Sequence, residues 1–275
     1  MVAGLAVQGL TFAYGAHAVL RGVTVPCLAP GTVTALLGPN AAGKTTLLKC
    51  MAGLLKGQGA VCLDGVDIGR YPLEQLTRRV AYLPQDTNVP GVLTVFESVL
   101  LARQPAVSWR VQDADLAAVW QVIVSLGLEP LAQSYLNELS GGQRQLVSIA
   151  HALVRQPRVL LLDEPTSSLD LQHQLEVLAL VRSVAAETGA SVVISLHDLN
   201  LAARHADRLL VLHGGRACAI GPPCEVLTPE LLRTVYAVEA EVSLDSDGVP
   251  HVAARSAVRR TTTHMRDIKE DDHGT

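Results

Sequence analysis

At 275 residues the chain can bury a substantial core without disulfides, and its five cysteines, Cys27, Cys50, Cys62, Cys218 and Cys224, form no CxxC pair, which removes zinc-site and thioredoxin-like readings. Hydrophobic residues make up 49% and mean hydropathy is +0.29, yet charges or Gly/Pro interrupt every apolar run short of the ~18 to 20 residues of a spanning helix. Net charge is −4, from 22 Lys+Arg against 26 Asp+Glu, with no basic stripe interleaved with aromatics, so nucleic acid is not an expected partner.

The start, MVAGLAVQGLTFAYG, lacks the basic region and long apolar core of a signal peptide, so a soluble protein with reduced, mostly buried thiols in a cytosol is expected. LAVQGLTFAYG and HAVLRGVTVPC alternate apolar and polar residues around turn signals and predict antiparallel strands. Residues 31 to 37, GTVTALL, form a β-branched apolar run ending at Gly38; helix-forming residues then run from Lys44 to Leu55, until Lys56-Gly57.

The turn between them reads Gly38-Pro39-Asn40-Ala41-Ala42-Gly43-Lys44-Thr45-Thr46 and matches G-x-x-x-x-G-K-[ST] in the strand–turn–helix context that the pattern requires. Backbone N–H groups of such a turn point at phosphate oxygens, Lys44 supplies a charge for the β- and γ-phosphates, and Thr45 can ligate Mg²⁺. Ala41 retains its N–H donor. At φ below zero it would stabilise the loop relative to glycine by about 0.4 to 1 kcal/mol; at φ above zero it would cost about 1 to 2 kcal/mol.

From about residue 88 to 155 the strand signal disappears, predicting a helical insert. Thr94 and Glu97 have capping-box spacing for a helix through Leu101, and Asp113 precedes the pattern DADLAAVWQVIVSLGL. In Leu139-Ser140-Gly141-Gly142-Gln143, Ser140 is an N-cap, the glycines leave the backbone open, and an amphipathic helix follows until Gln156-Pro157. Val159 to Leu162 form a buried strand ending in Asp163 and Glu164, at the edge where α/β sheets bind ligands. There Asp163 can hold a Mg²⁺ shell while Glu164 polarises water. SVVISL, residues 191 to 196, is a further short strand; strands alternating with helices indicate a mainly parallel sheet covered on both faces. His213-Gly214-Gly215-Arg216 reads as a hairpin turn and Thr228-Pro229-Glu230 as a capped helix start.

Taken in order, these motifs resemble the nucleotide-binding subunit of ABC transporters over roughly residues 5 to 240. The resemblance implies an α/β P-loop NTPase, RecA-like core with an antiparallel β subdomain and a helical subdomain, spanning residues 1–254. Residues 255–275 are expected to be a polar, disordered tail, most clearly from Arg259 onward. It further implies that Tyr14 stacks on adenine, that Gln85 in AYLPQD is the Q-loop glutamine touching Mg²⁺, that Asp163 holds Mg²⁺ through water, that Ser168-Leu169-Asp170 is the D-loop, and that His197 in ISLHDLN contacts the γ-phosphate. In this family two domains pair head to tail around ATP, with Ser140 and Gly142 of one facing the other's Lys44, so a second copy of the chain is an implied partner.

LVRQPRVLLLDEPTSSLDLQHQLEVL and the stretch from SLHDLN to VYAVEAEV look like the ATPase subunits of bacterial importers for iron-siderophore, haem or cobalamin ligands. That implies integral membrane permease partners, an indirect substrate-binding protein, and a peripheral place on the inner face of the cell membrane. His151 departs from the arginine or glutamine common there, and Ala41 from glycine. The other classes weighed are a soluble ABC ATPase acting on DNA or ribosomes, and an inactive regulatory domain. No sustained heptads lie between the phosphate loop and LSGGQ, the chain carries one motif set, and Lys44, Asp163, Glu164 and His197 are complete, all of which disfavour these alternatives.

Overall fold

A computed structural model describes residues 4–85, 92–103, 111–167 and 169–258. Strands β1 (Leu5–Tyr14) and β2 (His17–Leu28) pair antiparallel across a turn in which Gly15 takes φ 58, as their alternation predicts. They belong to a four-stranded sheet of order β2-β1-β4-β5, completed by β4 (Gln58–Leu63) and β5 (Val66–Asp67).

The central sheet has six strands, in the order β10-β9-β3-β8-β7-β6: β3 (Val33–Leu37), β6 (Val80–Leu83), β7 (Val159–Leu162), β8 (Ser191–Ser195), β9 (Arg208–His213) and β10 (Arg216–Gly221). All are parallel except β10, which returns antiparallel along β9 through Gly214 and Gly215 at φ 55 and 76, the two left-handed positions of a tight hairpin turn. Successive side chains along a strand enter opposite cores. Ala35 and Leu37 join the core on one face, whereas Leu36 joins Val159, Leu161 and Val193 in the other. Burial on both faces explains why these strands read as unbroken apolar runs.

Helix α1 (Lys44–Met51) lies between the central sheet and the four-stranded sheet. It stops four residues short of the expected Leu55, because Gly53 at φ 73 turns the chain out of the helix. Helix α2 (Leu73–Arg79) leads into β6. The helical insert contributes α3 (Val95–Arg103), α4 (Asp113–Ser125) and α5 (Gly141–Leu153), with residues 86–91 and 104–110 outside the described residues. Thr94 and Glu97 do form a capping box, with the Thr94 N–H on Glu97 Oε2 at 2.9 Å and the Glu97 N–H on Thr94 Oγ1 at 3.2 Å. Helix α3 continues past Leu101 to Arg103, which pairs with Asp115 at 2.8 Å; α4 is capped by Gln112 rather than opened by Asp113 itself.

Helices α6 (Leu171–Thr188) and α7 (Leu199–His205) follow β7 and β8. After β10 come α8 (Pro223–Val226) and α9 (Pro229–Tyr236), the latter capped by Thr228 as read from the sequence. The chain then forms an antiparallel hairpin, β11 (Val238–Leu244) and β12 (Pro250–Ala257). This corrects the boundary at 254: Val238 pairs with Ala257, so ordered structure continues past it, and residues 259–275 lie outside the described residues. The thiols are also less buried than expected. Cys50 is buried, Cys27 and Cys62 are partly so, and Cys218 and Cys224 are exposed. Among the described residues, no helix is long and apolar enough to cross a membrane.

Candidate nucleotide-binding site

The phosphate loop leaves β3 at Gly38, whose φ of 147 and whose approach to the Leu212 carbonyl admit no side chain; an added Cβ would stand 2.2 Å from that oxygen. Gly43 ends the loop at φ 101, with Val19 and Leu20 of β2 packed against it, and no side chain caps the start of α1. The first-turn amides of that helix are therefore open to an anion. Ala41 is exposed and sits at φ 61, so the loop carries the left-handed strain posed as one of two alternatives by the sequence. Asn40 is also exposed, while Ala42 is buried and closes the turn through its N–H on the Pro39 carbonyl at 3.2 Å.

Lys44 is 6% exposed, and its ammonium donates to the carbonyls of Gly38 at 2.8 Å and Pro39 at 3.3 Å. Burial holds its pKa below the ordinary lysine value, against the opposing pull of the Glu164 and Asp163 carboxylates. Asp163, 2% exposed at the end of β7, is pushed upward by burial, while the Thr45 hydroxyl and the Tyr82 phenol lying against it pull it down. The Tyr82 hydroxyl donates to Asp163 Oδ2 at 3.2 Å, and Oδ1 makes no hydrogen bond despite full burial. A buried carboxylate oxygen without a partner, beside an exposed threonine hydroxyl, is a donor set suited to a hydrated Mg²⁺. Thr46 is buried in the first turn of α1.

Glu164 follows at φ 50, a left-handed conformation, and its side chain is mostly buried. His197, just beyond β8, brings Nε2 within 2.6 Å of Glu164 Oε1. The pair becomes an ion pair when the imidazole is protonated. The structure thus gathers Gly38, Lys44, Thr45, Asp163, Glu164 and His197 at the C-terminal edge of the parallel strands, where α/β sheets bind ligands.

Tyr14 is exposed at the end of β1, edge-on to Phe12 at 4.9 Å and near enough to Tyr82 to disfavour its ionisation. Gln85 is exposed just after β6, and no hydrogen bond joins it to Thr45, Asp163 or Glu164. Ser140 caps α5 and forms a full box with Gln143, at 3.2 Å and 2.9 Å, leaving the amides of Gly141 and Gly142 to face outward from the helix start. No described contact brings this pentapeptide to Lys44 of the same chain. Ser168 lies outside the described residues; Asp170 caps α6 and accepts from His173 Nδ1 at 2.6 Å.

Two participants escaped the sequence reading. Tyr82 reaches Asp163 because β6 and β7 run parallel, with Tyr82 level with Leu161, a register that AYLPQD alone does not disclose. His173 packs on Gly142, where an added Cβ would meet its ring at 3.2 Å, and so links Asp170 to the start of α5.

Known proteins align with this arrangement. The family model for ABC transporters matches residues 22–167. The hemin import ATP-binding protein HmuV of Bordetella bronchiseptica is 41% identical over 251 residues, covering 86% of this chain and 94% of its own. The ferric enterobactin transport ATP-binding protein FepC of Escherichia coli is 37% identical over 246 residues, covering 88% and 90%. A bacterial ABC transporter cassette solved as a dimer superposes with a TM-score of 0.70 at 26% identity, over 80% of this chain and 98% of that one. With half of its length matched by the family model and nearly all of two such relatives covered, the chain belongs to the ABC transporter family.

Proposed function

We propose that the chain is the ATP-hydrolysing subunit of an importer for an iron-siderophore or haem-type ligand, acting on the inner face of the membrane beneath a separate permease. The observation that carries the catalytic reading is the 2.6 Å contact between Glu164 and His197 beside Lys44 and Asp163. The names of the hemin and ferric enterobactin relatives support the substrate class.

In this reading the loop amides and the Lys44 ammonium hold the β- and γ-phosphates, and Tyr14 offers a ring to the base. Thr45 and Asp163, with Gln85, would hold Mg²⁺, which when bound neutralises charge developing on the phosphates. Glu164 accepts a proton from the attacking water. His197 holds that carboxylate in place and lies close to the γ-phosphate position. The open helix start at Ser140, Gly141, Gly142 and Gln143 is supplied to the site by a second copy of the chain, in keeping with the absence, among the described residues, of a contact that joins it to Lys44; the dimeric cassette supports this pairing. Asp170 then lies at the same junction.

Glu164→Gln keeps the shape and loses the base. It should bind ATP as the natural protein does and release phosphate at least about a hundredfold more slowly. Normal turnover in this variant would remove Glu164 from the role.

A further inference from the structure

Beyond the stretch matched by the family model, α9 and the β11–β12 hairpin close on the chain segment that carries His197. Asn200 stands in the first turn of α7, where Asp198 caps the helix through the N–H groups of Asn200 and Leu201 at 2.7 and 3.0 Å. Its side-chain oxygen accepts from the Val252 N–H at 2.7 Å, and its amide nitrogen donates to the Val252 carbonyl at 3.2 Å. In an antiparallel strand the N–H and C=O of one residue point to the same side, so Val252 turns both groups away from its β11 partner Val242 and toward Asn200. The asparagine thus occupies the outer edge of β12 like one residue of a third strand.

One turn later, Arg204 pairs with Asp245 and, at 3.4 Å, with Asp247, both in the β11–β12 turn. Asp245 is itself fixed by the N–H groups of Asp247 and Val249, each at 2.9 Å. Val249 and Val252 pack on the main core, and Tyr236, at the end of α9, directs its phenol oxygen toward the Gly38 amide. The C-terminal unit therefore touches α7 and the root of the phosphate loop together.

Helix α7 has only seven residues, too few to hold its shape unaided. His197 precedes it on a short link, with its side chain 49% exposed. We propose that the β11–β12 hairpin positions His197: Asn200 and Arg204 anchor α7 to the hairpin, and the anchored helix sets the reach of Nε2 to Glu164. Asn200 and Arg204 are positioning residues that touch no reacting atom. The proposal rests on the ATPase reading above.

The test uses the full chain, with steady-state phosphate release, ATP affinity and amide exchange measured for Asn200→Ala, Asn200→Asp and Arg204→Gln. Asn200→Ala should lower kcat about tenfold, leave ATP affinity within about twofold, and speed exchange at residues 198–201 but not at 38–46. Asn200→Asp keeps the acceptor for the Val252 N–H but turns an acceptor oxygen toward the Val252 carbonyl, so it should recover turnover only in part, to within about fivefold of the natural protein. Arg204→Gln, which loosens the same hairpin from the surface, should lower kcat about threefold at unchanged affinity. Turnover of Asn200→Ala within twofold of the natural protein overturns the proposal. So does a parallel loss of turnover, ATP affinity and folding that Asn200→Asp fails to relieve, which marks a purely structural contact. A natural protein without turnover sinks the ATPase reading itself, and is told apart from both by that control.

Discussion

Acidification should loosen the helical subdomain through His151. This imidazole on α5 is half-buried against α3, with Nε2 3.1 Å from Ser98 Oγ, and the Ser98 hydroxyl is already donated to the Val95 carbonyl at 2.8 Å. The ring nitrogen must therefore be the donor to Ser98, and the ring is neutral. Burial, and after it the charge of Arg155, push its pKa down to about 4. In the unfolded chain the same group titrates near 6.5. A base whose folded pKa is depressed contributes stability that is fully present above the unfolded value and is lost as pH falls toward the folded one. At pH 5 the unfolded chain is almost fully protonated at this position and the folded one is not; a gap of about 1.5 units at roughly 1.4 kcal/mol each gives a loss of about 2 kcal/mol relative to pH 7.5. Urea unfolding at the two pH values measures it, with His151→Gln as the control, because glutamine keeps an N–H for Ser98 and cannot titrate. The variant should lose about 2 kcal/mol less than the natural protein between pH 7.5 and 5. His205, depressed in the same direction, is present in both and cancels. Equal losses in the two proteins would refute the argument.

Three further outcomes follow from the site. Ala41→Gly relieves about 1 to 2 kcal/mol of left-handed strain and loosens the unfolded chain by about 0.4 to 1, so unfolding free energy should rise by about 1 kcal/mol; a fall would contradict the φ of 61 at this residue. Tyr82→Phe frees Asp163 Oδ2 and should raise the Mg²⁺ concentration needed for half-maximal nucleotide binding about tenfold without altering metal-free binding, and an unchanged Mg²⁺ requirement would deny Tyr82 its orienting role. The hydrogen bond to Asp170, then its charge, raises the His173 pKa; Asp170→Asn should bring an NMR titration of His173 down toward the ordinary histidine range, and a titration that stays put would assign the elevation to another neighbour.

The parallel strands, the phosphate loop and the acidic strand end were legible because each is a local pattern: burial on both faces makes unbroken apolar runs, and a phosphate turn needs its glycines at fixed spacing. Helix ends were less so. Lys44 to Leu55 reads as continuous helix, yet Gly53 stops it, because a single left-handed residue outweighs the propensities around it. The C-terminal hairpin went unread although VEAEVSL alternates, since its partner strand, PHVAARSA, shows no strict alternation and is exposed along most of its length. Within the site, the types of Lys44, Asp163, Glu164 and His197 could be named in advance. That Tyr82 would lean on Asp163, or His173 on Gly142, depends on strand register and helix approach, which no spacing along the chain encodes.

The left-handed backbone at Glu164 sets stability against activity at a single residue. Strain of this kind costs about 1 to 3 kcal/mol, and glycine or asparagine would remove part of it along with the carboxylate. With Glu164 as the proposed base, a screen of this chain for heat resistance alone is expected to enrich substitutions at 164 that lose turnover, so thermostable variants would need sorting by phosphate release before any were kept.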